Sequence, residues 1–226
     1  MPLNEFCRTE LLVGEEGIAK LHNSKVIVFG IGGVGSFVVE ALTRAGVGNL
    51  ILVDNDTICI SNINRQIHAR QSTIGMIKVE AMKERVISIN PNCNVEAKQV
   101  FITAENISEI IPSDVDYVVD AIDTVTSKLA LAEYCYKNNI NIISSMGTGN
   151  KIDPTQFRVS DVFKTKVCPL AKVMRYELRK RGVKKLKVVY SEEMPMTPDK
   201  GRAVPSQKRQ TPGSISFVPP VAGMII

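Results

Sequence analysis

The chain has 226 residues, of which 44% are apolar, so its length allows one substantial core, with or without a small appendage. Its five cysteines are odd in number and form no C-x-x-C pair, which argues against a disulfide framework and against a zinc site built from cysteine pairs. No apolar run approaches the roughly 18 to 20 residues of a membrane span, and the amino terminus has no signal-peptide pattern, so we expect no membrane contact and a cytoplasmic location.

The positive charge is concentrated in the carboxyl-terminal part. The net charge is +5, but residues 1–163 hold 14 Lys and Arg against 19 Asp and Glu, whereas residues 164–226 hold 14 against 4. We therefore divide the single domain into a core part, 1–163, and a basic part, 164–226. Concentrated cations suit a polyanion, and nucleic acid is the better candidate because no membrane-anchoring signal accompanies them; a merely solvated cationic face is the alternative.

Strands and helices alternate along the core part. After a helix over 6–21, the pattern predicts strand 25–30, helix 34–46, strand 50–54, a polar loop 55–74, helix 75–89, strand 95–100, a short helix 104–111, strand 116–121, helix 124–138 and strand 140–145. The strands are short and almost continuously apolar, as strands covered on both faces should be. The fold class expected is α/β, with a doubly wound, mostly parallel Rossmann-like sheet.

The basic part continues the fold as a carboxyl-terminal extension. We predict a strand over 156–162, a helix over 169–182, a mobile Pro-rich loop over 191–213 and a final strand, followed by the start of a helix at Met224. Placed at 100° per residue, the helix gathers Leu170, Val173, Met174 and Leu178 on its packing side and Lys172, Arg175 and Arg179 on the opposite side. The second group forms a cationic strip.

The first strand leads into the glycine-rich turn Gly30-Ile31-Gly32-Gly33-Val34-Gly35. Gly30 permits the tight turn, Gly32 lets the backbone approach a phosphate, and Gly35 lets the following helix pack on the sheet, with its amino end facing the anion. Asp54 ends the second strand, where an acid can accept hydrogen bonds from a ribose. Strand, glycines, helix, strand and acid occur in the order that a nucleotide site requires, which we prefer to a turn without a ligand.

A second set of polar residues follows the later strands. It comprises Asp56, the string Ser61-Asn62-Ile63-Asn64-Arg65-Gln66, Lys78 and the string Asp120-Ala121-Ile122-Asp123. An open α/β sheet binds its ligand at such positions. Arg65 offers a planar fork for phosphate oxygens, Lys78 a point charge and Asp123 a hard oxygen ligand for Mg²⁺, which suits a triphosphate better than a nicotinamide. The alternatives are an Arg65 salt bridge, a solvated Lys78 and Asp123 as a helix cap.

Together these motifs resemble the adenylating domain of the E1/ThiF/MoeB superfamily. The resemblance implies ATP and Mg²⁺, with a monovalent cation, K⁺ or Na⁺, as a further candidate. It assigns to ATP the residues Gly30, Gly32, Gly33, Gly35, Asp54, Asp56, Asn62, Arg65 and Lys78, and to the magnesium Asp123. It also implies a homodimer in which Arg8 reaches the partner's active site, so the expected catalytic residues are Arg65, Lys78, Asp123 and Arg8.

Longer strings narrow the resemblance. Those from Arg8 to Leu12, from Asn64 to Ala69, from Asp153 to Gln156 and from Gly213 to Pro220 are similar to the tRNA threonylcarbamoyladenosine dehydratases, the TcdA/CsdL group. That group implies adenylation of the carboxylate of N6-threonylcarbamoyladenosine in tRNA, followed by cyclisation with release of AMP and pyrophosphate. The expected tRNA contacts are then Lys172, Arg175 and Arg179.

Other functions remain open at this point. An E1-like activator would adenylate the carboxyl terminus of a ubiquitin-like sulfur-carrier protein, but the zinc-binding C-x-x-C pairs usual in such activators are missing. A sulfur-transfer partner protein is a further candidate. A nucleotide sensor without catalysis could dispense with Arg65, Lys78 or Asp123, yet all three are present. His68 is a candidate general base, with a structural role as the alternative.

Overall fold

One seven-stranded sheet organises residues 4–197 and 212–226, which are the residues that the computed structural model describes. The strands are β1 (Lys25–Phe29), β2 (Asn49–Val53), β3 (Asn94–Lys98), β4 (Tyr117–Asp120), β5 (Ile142–Ser145), β6 (Phe157–Asp161) and β7 (Lys187–Ser191). Their order is β3-β2-β1-β4-β5-β7-β6, and only the β6–β7 pair is antiparallel. The predicted α/β, mostly parallel sheet is confirmed.

Helices cover both faces of this sheet. They are α1 (Cys7–Asn23), α2 (Gly35–Ala45), α3 (Lys78–Ile89), α4 (Ile107–Ile110), α5 (Val125–Lys137), α6 (Pro169–Lys180) and α7 (Val218–Ile225). Successive residues of a strand point to opposite faces. Val28 accordingly packs in one core with α2, α3 and α7, whereas Ile27 packs in another with α4 and α5. Both faces are buried, which explains the continuous apolar runs in the sequence.

The carboxyl-terminal part differs most from its prediction. Strand β7 was not expected, because the lysines before it resemble a solvated basic tail, but it inserts between β5 and β6. The predicted final strand is wrong, since residues 218–225 form helix α7. Pro219 and Pro220 occupy its first turn, where the backbone N–H groups need no intrahelical partner. Residues 198–211 of the predicted loop lie outside the described part of the chain.

Two helices also depart from their expected faces. On α6 the buried residues are Ala171, Met174 and Leu178, whereas Val173, predicted to pack, is 46% exposed. Helix α1 kinks at Gly14 and buries none of its residues, and its Leu11 and Leu12 are 80% and 87% exposed. Across residues 4–197 and 212–226, we find no helix with the length and apolarity to cross a membrane.

Candidate active site

A cleft of about 840 Å³ opens at the carboxyl edge of the sheet. Gly30, Asp54, Ala121 and Met146, the residues that directly follow β1, β2, β4 and β5, all line it. The strand order reverses between β1 and β4, and ligands of open α/β sheets bind at such a switch point. The cleft is therefore the candidate active site.

The glycine turn forms the floor of the cleft. Gly30 has φ +84°, and a Cβ there would lie 2.7 Å from the carbonyl oxygen of Ala121. A Cβ on Gly35 would lie 1.8 Å from the carbonyl oxygen of Gly30, so the first turn of α2 fits against β1 only with glycine at that position. By contrast, a Cβ on Gly32 would meet nothing closer than Gln66 Nε2 at 3.9 Å. Gly32 thus leaves open space for a ligand, whereas Gly30 and Gly35 serve the packing.

Asp54 is fixed by two backbone groups at the end of β2. The Ile31 N–H donates to its Oδ2 at 2.6 Å, and the Asp56 N–H donates to its Oδ1 at 2.8 Å. Burial raises the pKa of the Asp54 carboxyl, while the nearby Lys78 and the two hydrogen bonds oppose that rise. The carboxylate is therefore held rigidly beside the glycine turn, where the resemblance assigns it to a ribose.

Lys78 is the first residue of α3 and is buried. Its Nζ lies 2.7 Å from Asp56 Oδ2, so the alternative of a solvated lysine is wrong. The helix begins later than the predicted residue 75 because the segment before it forms backbone hydrogen bonds with the chain at Ile58. Those bonds, from the Ile58 N–H to Met76 and from the Gly75 N–H to Ile58, hold the lysine at the cleft.

Arg65 and Asn62 lie in the loop that faces the glycine turn. Arg65 Nη1 donates to the Ser61 carbonyl and to Asn64 Oδ1, both at 2.8 Å, and burial lowers the pKa of the guanidinium. Both of these acceptors are uncharged, and Arg65 forms no salt bridge with any residue that the structure describes, so the alternative of a salt bridge is not seen there. Asn62 Oδ1 accepts the Cys59 N–H at 3.0 Å, which leaves the amide Nδ2 as the donor that Asn62 can offer to a ligand.

Asp123 lies in the cleft wall three residues after β4, and its side chain is exposed. The cap residue of α5 is Thr124, so Asp123 does not occupy the cap position. Within residues 4–197 and 212–226, no three His, Cys, Asp or Glu side chains are grouped closely enough to hold a metal by themselves.

A buried ionic network lies under the strand ends. Asp120 and Lys128 are both fully buried, with Lys128 Nζ 2.9 Å from Asp120 Oδ2. Ser144 Oγ donates to the same carboxylate oxygen at 2.6 Å, and the Ile122 N–H donates to Oδ1 at 3.1 Å. The network ties β4, β5 and α5 together directly below the segment that carries Asp123.

His68 is buried and forms a hydrogen bond with the glycine turn. Its Nε2 lies 2.8 Å from the Ile31 carbonyl oxygen, and because a carbonyl can only accept, this nitrogen carries the proton. Burial lowers the pKa of His68 to about 4, with Lys78 and Arg85 adding to the shift. The side chain does not line the cleft, so the structure favours the structural role over that of a general base.

The remaining predicted residues lie outside the cleft. Arg8 is exposed on α1 and does not line the cleft of its own chain. Lys172 and Arg179 are exposed on α6, and Arg179 lies 5.2 Å above the Phe163 ring. Arg175 is half-buried and donates to both oxygens of Thr165, so it stabilises the turn before α6.

The sequence matches the ThiF family over residues 6–196. The chain belongs to the ThiF family. It is 46% identical over 233 aligned residues to the tRNA threonylcarbamoyladenosine dehydratase of Bacillus subtilis, an alignment that covers 99% of this chain and 92% of that protein. The predicted resemblance to the superfamily and to this group is confirmed.

Solved structures agree with this assignment. The fold is similar to that of the Escherichia coli tRNA N6-threonylcarbamoyladenosine dehydratase TcdA in complex with ATP, with a TM-score of 0.89 and 36% identity over 98% of this chain and 89% of that chain. The AMP complex of the same protein gives a TM-score of 0.89 and 37% identity, with the same coverage. In that protein, the fold binds both nucleotides.

Two cleft features were not singled out from the sequence. Gln66 lines the cleft, and its buried Oε1 has no hydrogen-bond partner in the described part of the chain. Its place next to Arg65 in the sequence could have indicated that it lies in the cleft. Asn150 joins the two segments that line the cleft at Gly149 and Pro212. Its N–H donates to the Gly213 carbonyl at 2.8 Å, and its Oδ1 accepts the Gly213 N–H at 2.6 Å. No local sequence pattern indicates a contact across 63 residues.

Proposed function

We propose that this chain is an ATP-dependent tRNA threonylcarbamoyladenosine dehydratase. In this reaction the carboxylate of N6-threonylcarbamoyladenosine is adenylated and then cyclised, with release of pyrophosphate and AMP. The observation that carries the proposal is the assembly of Asp54, Arg65, Lys78 and Asp123 around one cleft, in a chain that is 46% identical along 99% of its length to a protein of that name.

The nucleotide half of the cleft suits ATP. Asp54 stands at the end of β2 as the acceptor for ribose hydroxyls, and the open space over Gly32 admits phosphates to the amino end of α2. Arg65 and Lys78 supply two positive charges where negative charge builds up on the phosphates as pyrophosphate leaves. Preorganised cations stabilise that charge without reorganisation during the reaction, which is the usual source of rate in phosphate chemistry.

Asp123 is the residue that we propose to hold Mg²⁺, together with the phosphates of the nucleotide. A magnesium ion there supplies Lewis-acid stabilisation of phosphate charge. The chain contributes the exposed carboxylate of Asp123 in the cleft wall, next to the anchored segment at Ile122.

The other half of the cleft suits the acyl substrate. It lies beyond β5 and is lined by Ser145, Met146, Gly147, Thr148, Gly149, Leu170, Pro212 and Ser214. A carboxylate is a poor electrophile because hydroxide leaves poorly, so it first attacks the α-phosphorus of ATP and displaces pyrophosphate. An oxygen or nitrogen of the same side chain then attacks the activated carbonyl, and AMP leaves. Holding the chain folded provides much of the rate, because the second step is intramolecular.

Lys172 and Arg179 are the α6 residues that we propose to contact tRNA phosphates, since both are exposed. Arg175, the third predicted contact, already donates to Thr165. We also propose a homodimer in which Arg8 serves the partner's cleft. The exposure of Leu11 and Leu12 on the same helix supports an interface there.

The deciding experiment measures pyrophosphate release from ATP, with mass analysis of the nucleosides, on tRNA that carries threonylcarbamoyladenosine and on the same tRNA without it. We expect turnover and the loss of one water from the nucleoside only with the modified tRNA, and neither with Asp123→Ala. Absence of tRNA-dependent turnover, together with pyrophosphate release on a carrier protein that ends in Gly-Gly, would overturn the proposal.

A further inference from the structure

An exposed aromatic residue stands on α6. Tyr176 is 60% exposed, because the helix packs through Ala171, Met174 and Leu178. Lys180 Nζ lies 4.1 Å from the centre of the Tyr176 ring. Single exposed apolar residues are common on proteins, so its surroundings must decide whether the ring has a role.

Those surroundings are strongly positive. Residues 164–187 contain ten Lys and Arg and a single acid, Glu177. That acid is engaged at the carboxyl end of the helix, since Arg181, the residue after α6, donates to its carboxylate at 2.7 Å. The exposed cations are Lys164, Lys166, Lys172, Arg179, Lys180, Lys184, Lys185 and Lys187. Such a surface is electrostatically complementary to a nucleic-acid backbone and not to another copy of the same positive face.

The ring also has a defined position relative to the cleft. Leu170, in the first turn of α6, lines the cleft. At 1.5 Å per residue, Tyr176 lies about 9 Å further along the helix axis. Lys172, Tyr176 and Arg179 have the i, i+4, i+7 spacing of residues on one helix face. The helix that reaches the cleft through Leu170 therefore carries, on its opposite side, a charged face with an aromatic ring at its centre.

We propose that Tyr176 stacks on an unpaired base of the tRNA close to the modified adenosine, while Lys172 and Arg179 contact the phosphates on either side. This inference rests on the proposed function, which places the modified nucleotide in the cleft. Proteins recognise single-stranded RNA loops by stacking splayed bases on aromatic side chains, within grooves that are positively charged. The ring and the cations together fit that chemistry.

Steady-state kinetics on tRNA carrying threonylcarbamoyladenosine test the inference. Tyr176→Ala and Tyr176→Leu should raise KM for tRNA by about 5- to 150-fold, the range expected for loss of one stacked base, while kcat and KM for ATP stay unchanged. Tyr176→Phe keeps the ring and should retain the wild-type KM. The matched control is Lys137→Ala, which removes an exposed cation of α5 and should change KM for tRNA little.

A fluorescence titration reports the stacking directly. The chain contains no tryptophan, so Tyr176→Trp provides a single reporter, and stacking on a base should quench it when tRNA is added. Tyr117→Trp, at the amino end of β4 and thus at the opposite edge of the sheet from the cleft, should show no quenching. The two reporters separate stacking from a general effect of RNA on the signal.

The outcomes separate the inference from the function. An unchanged KM in Tyr176→Ala, or equal losses in the Ala and Phe variants, would overturn the stacking role. A change of oligomeric state in Tyr176→Ala, without weaker tRNA binding, would also overturn it and assign the ring to a protein interface. Failure of the wild-type protein to convert modified tRNA would overturn the proposed function instead. If, in addition, the fluorescence of Tyr176→Trp were not quenched when RNA is bound, the stacking role would be overturned as well.

Discussion

Lys78 Nζ lies 2.7 Å from Asp56 Oδ2, and the lysine side chain is 7% exposed whereas the aspartate side chain is 58% exposed. The two partners therefore have unequal surroundings. The lysine stem is held by the protein, and Lys78 can exchange its solvated partner Asp56 for another negative group at little cost. A phosphate that enters the cleft can thus bind the Lys78 ammonium group, whose position is already fixed.

Lys78→Gln should lower kcat of pyrophosphate release by about 100- to 1000-fold, because one preorganised cation at the phosphates is lost. The free energy of unfolding should fall by only about 1 kcal/mol, since the partner is solvated. Rapid-quench kinetics and urea unfolding measure the two effects. Lys137→Gln, which removes an exposed cation of α5, is the control; a wild-type kcat in Lys78→Gln would remove Lys78 from the proposed chemistry.

Two glycines of the same turn should respond in opposite ways. Gly35→Ala brings a Cβ to 1.8 Å from the Gly30 carbonyl oxygen, so we expect little or no folded protein. Gly32→Ala meets nothing closer than 3.9 Å, so it should fold, but the added methyl fills space where phosphates approach and should raise KM for ATP. Thermal unfolding and ATP kinetics distinguish the two. A Gly32→Ala variant with unchanged KM would mean that the nucleotide does not pass over Gly32.

The parts of the site that could be predicted from sequence are those carried by local patterns. The glycine turn and Asp54 follow from a strand, a turn and a helix that are adjacent in the chain, so thirty residues suffice to place them. Lys78 and Asp123 could be assigned to the same edge because parallel strands bring their carboxyl ends together. The hydrogen-bond and ion-pair partners of these residues depend on side-chain packing, which no local sequence pattern encodes.

The features that the sequence did not predict depend on contacts between distant parts of the chain. The network of Asp120, Lys128 and Ser144 joins residues from β4, α5 and β5. Strand β7 was hidden because its apolar core is only Val188 to Tyr190, between lysines and acids. Neither has a local signature, since each depends on which strands become neighbours in the sheet. Long-range pairing, not local propensity, places β7 in the sheet.

His68 should make the protein acid-sensitive. Its pKa is about 4 in the folded protein, below the ordinary 6.5, so the unfolded chain binds the proton more tightly. Stability from this residue is complete above pH 6.5 and is lost as the pH falls toward 4, by about 2 kcal/mol at pH 5. Urea unfolding at pH 7.5 and 5 measures the loss. His68→Gln retains an N–H donor without titrating, so its stability should depend less on pH; equal dependence would contradict the assignment.

The Asp120–Lys128 pair should be costly to break from one side. Lys128→Met leaves a fully buried carboxylate without its cation, and we expect a loss of about 3–5 kcal/mol in the free energy of unfolding. Adding Asp120→Asn should restore part of that loss, because the neutral amide oxygen can still accept a hydrogen bond from Ser144. Urea unfolding of both variants is the measurement. A double variant no more stable than Lys128→Met would show that the buried charge is not the source of the loss.

Two cations of α6, Arg175 and Lys172, should have different roles, the first structural and the second in RNA binding. Arg175 donates to Thr165, so Arg175→Ala should lower the free energy of unfolding by about 1.5–3 kcal/mol, the range for a hydrogen bond to a charged group. Lys172 is exposed, so Lys172→Ala should leave stability within about 0.5 kcal/mol of wild type. It should instead weaken tRNA binding and reduce the slope of log K against log salt by about 1, as expected for one lost phosphate contact. Filter binding between low and physiological salt measures the slope. If Arg175→Ala changed the slope and Lys172→Ala did not, the tRNA would run along the Thr165 side of the helix.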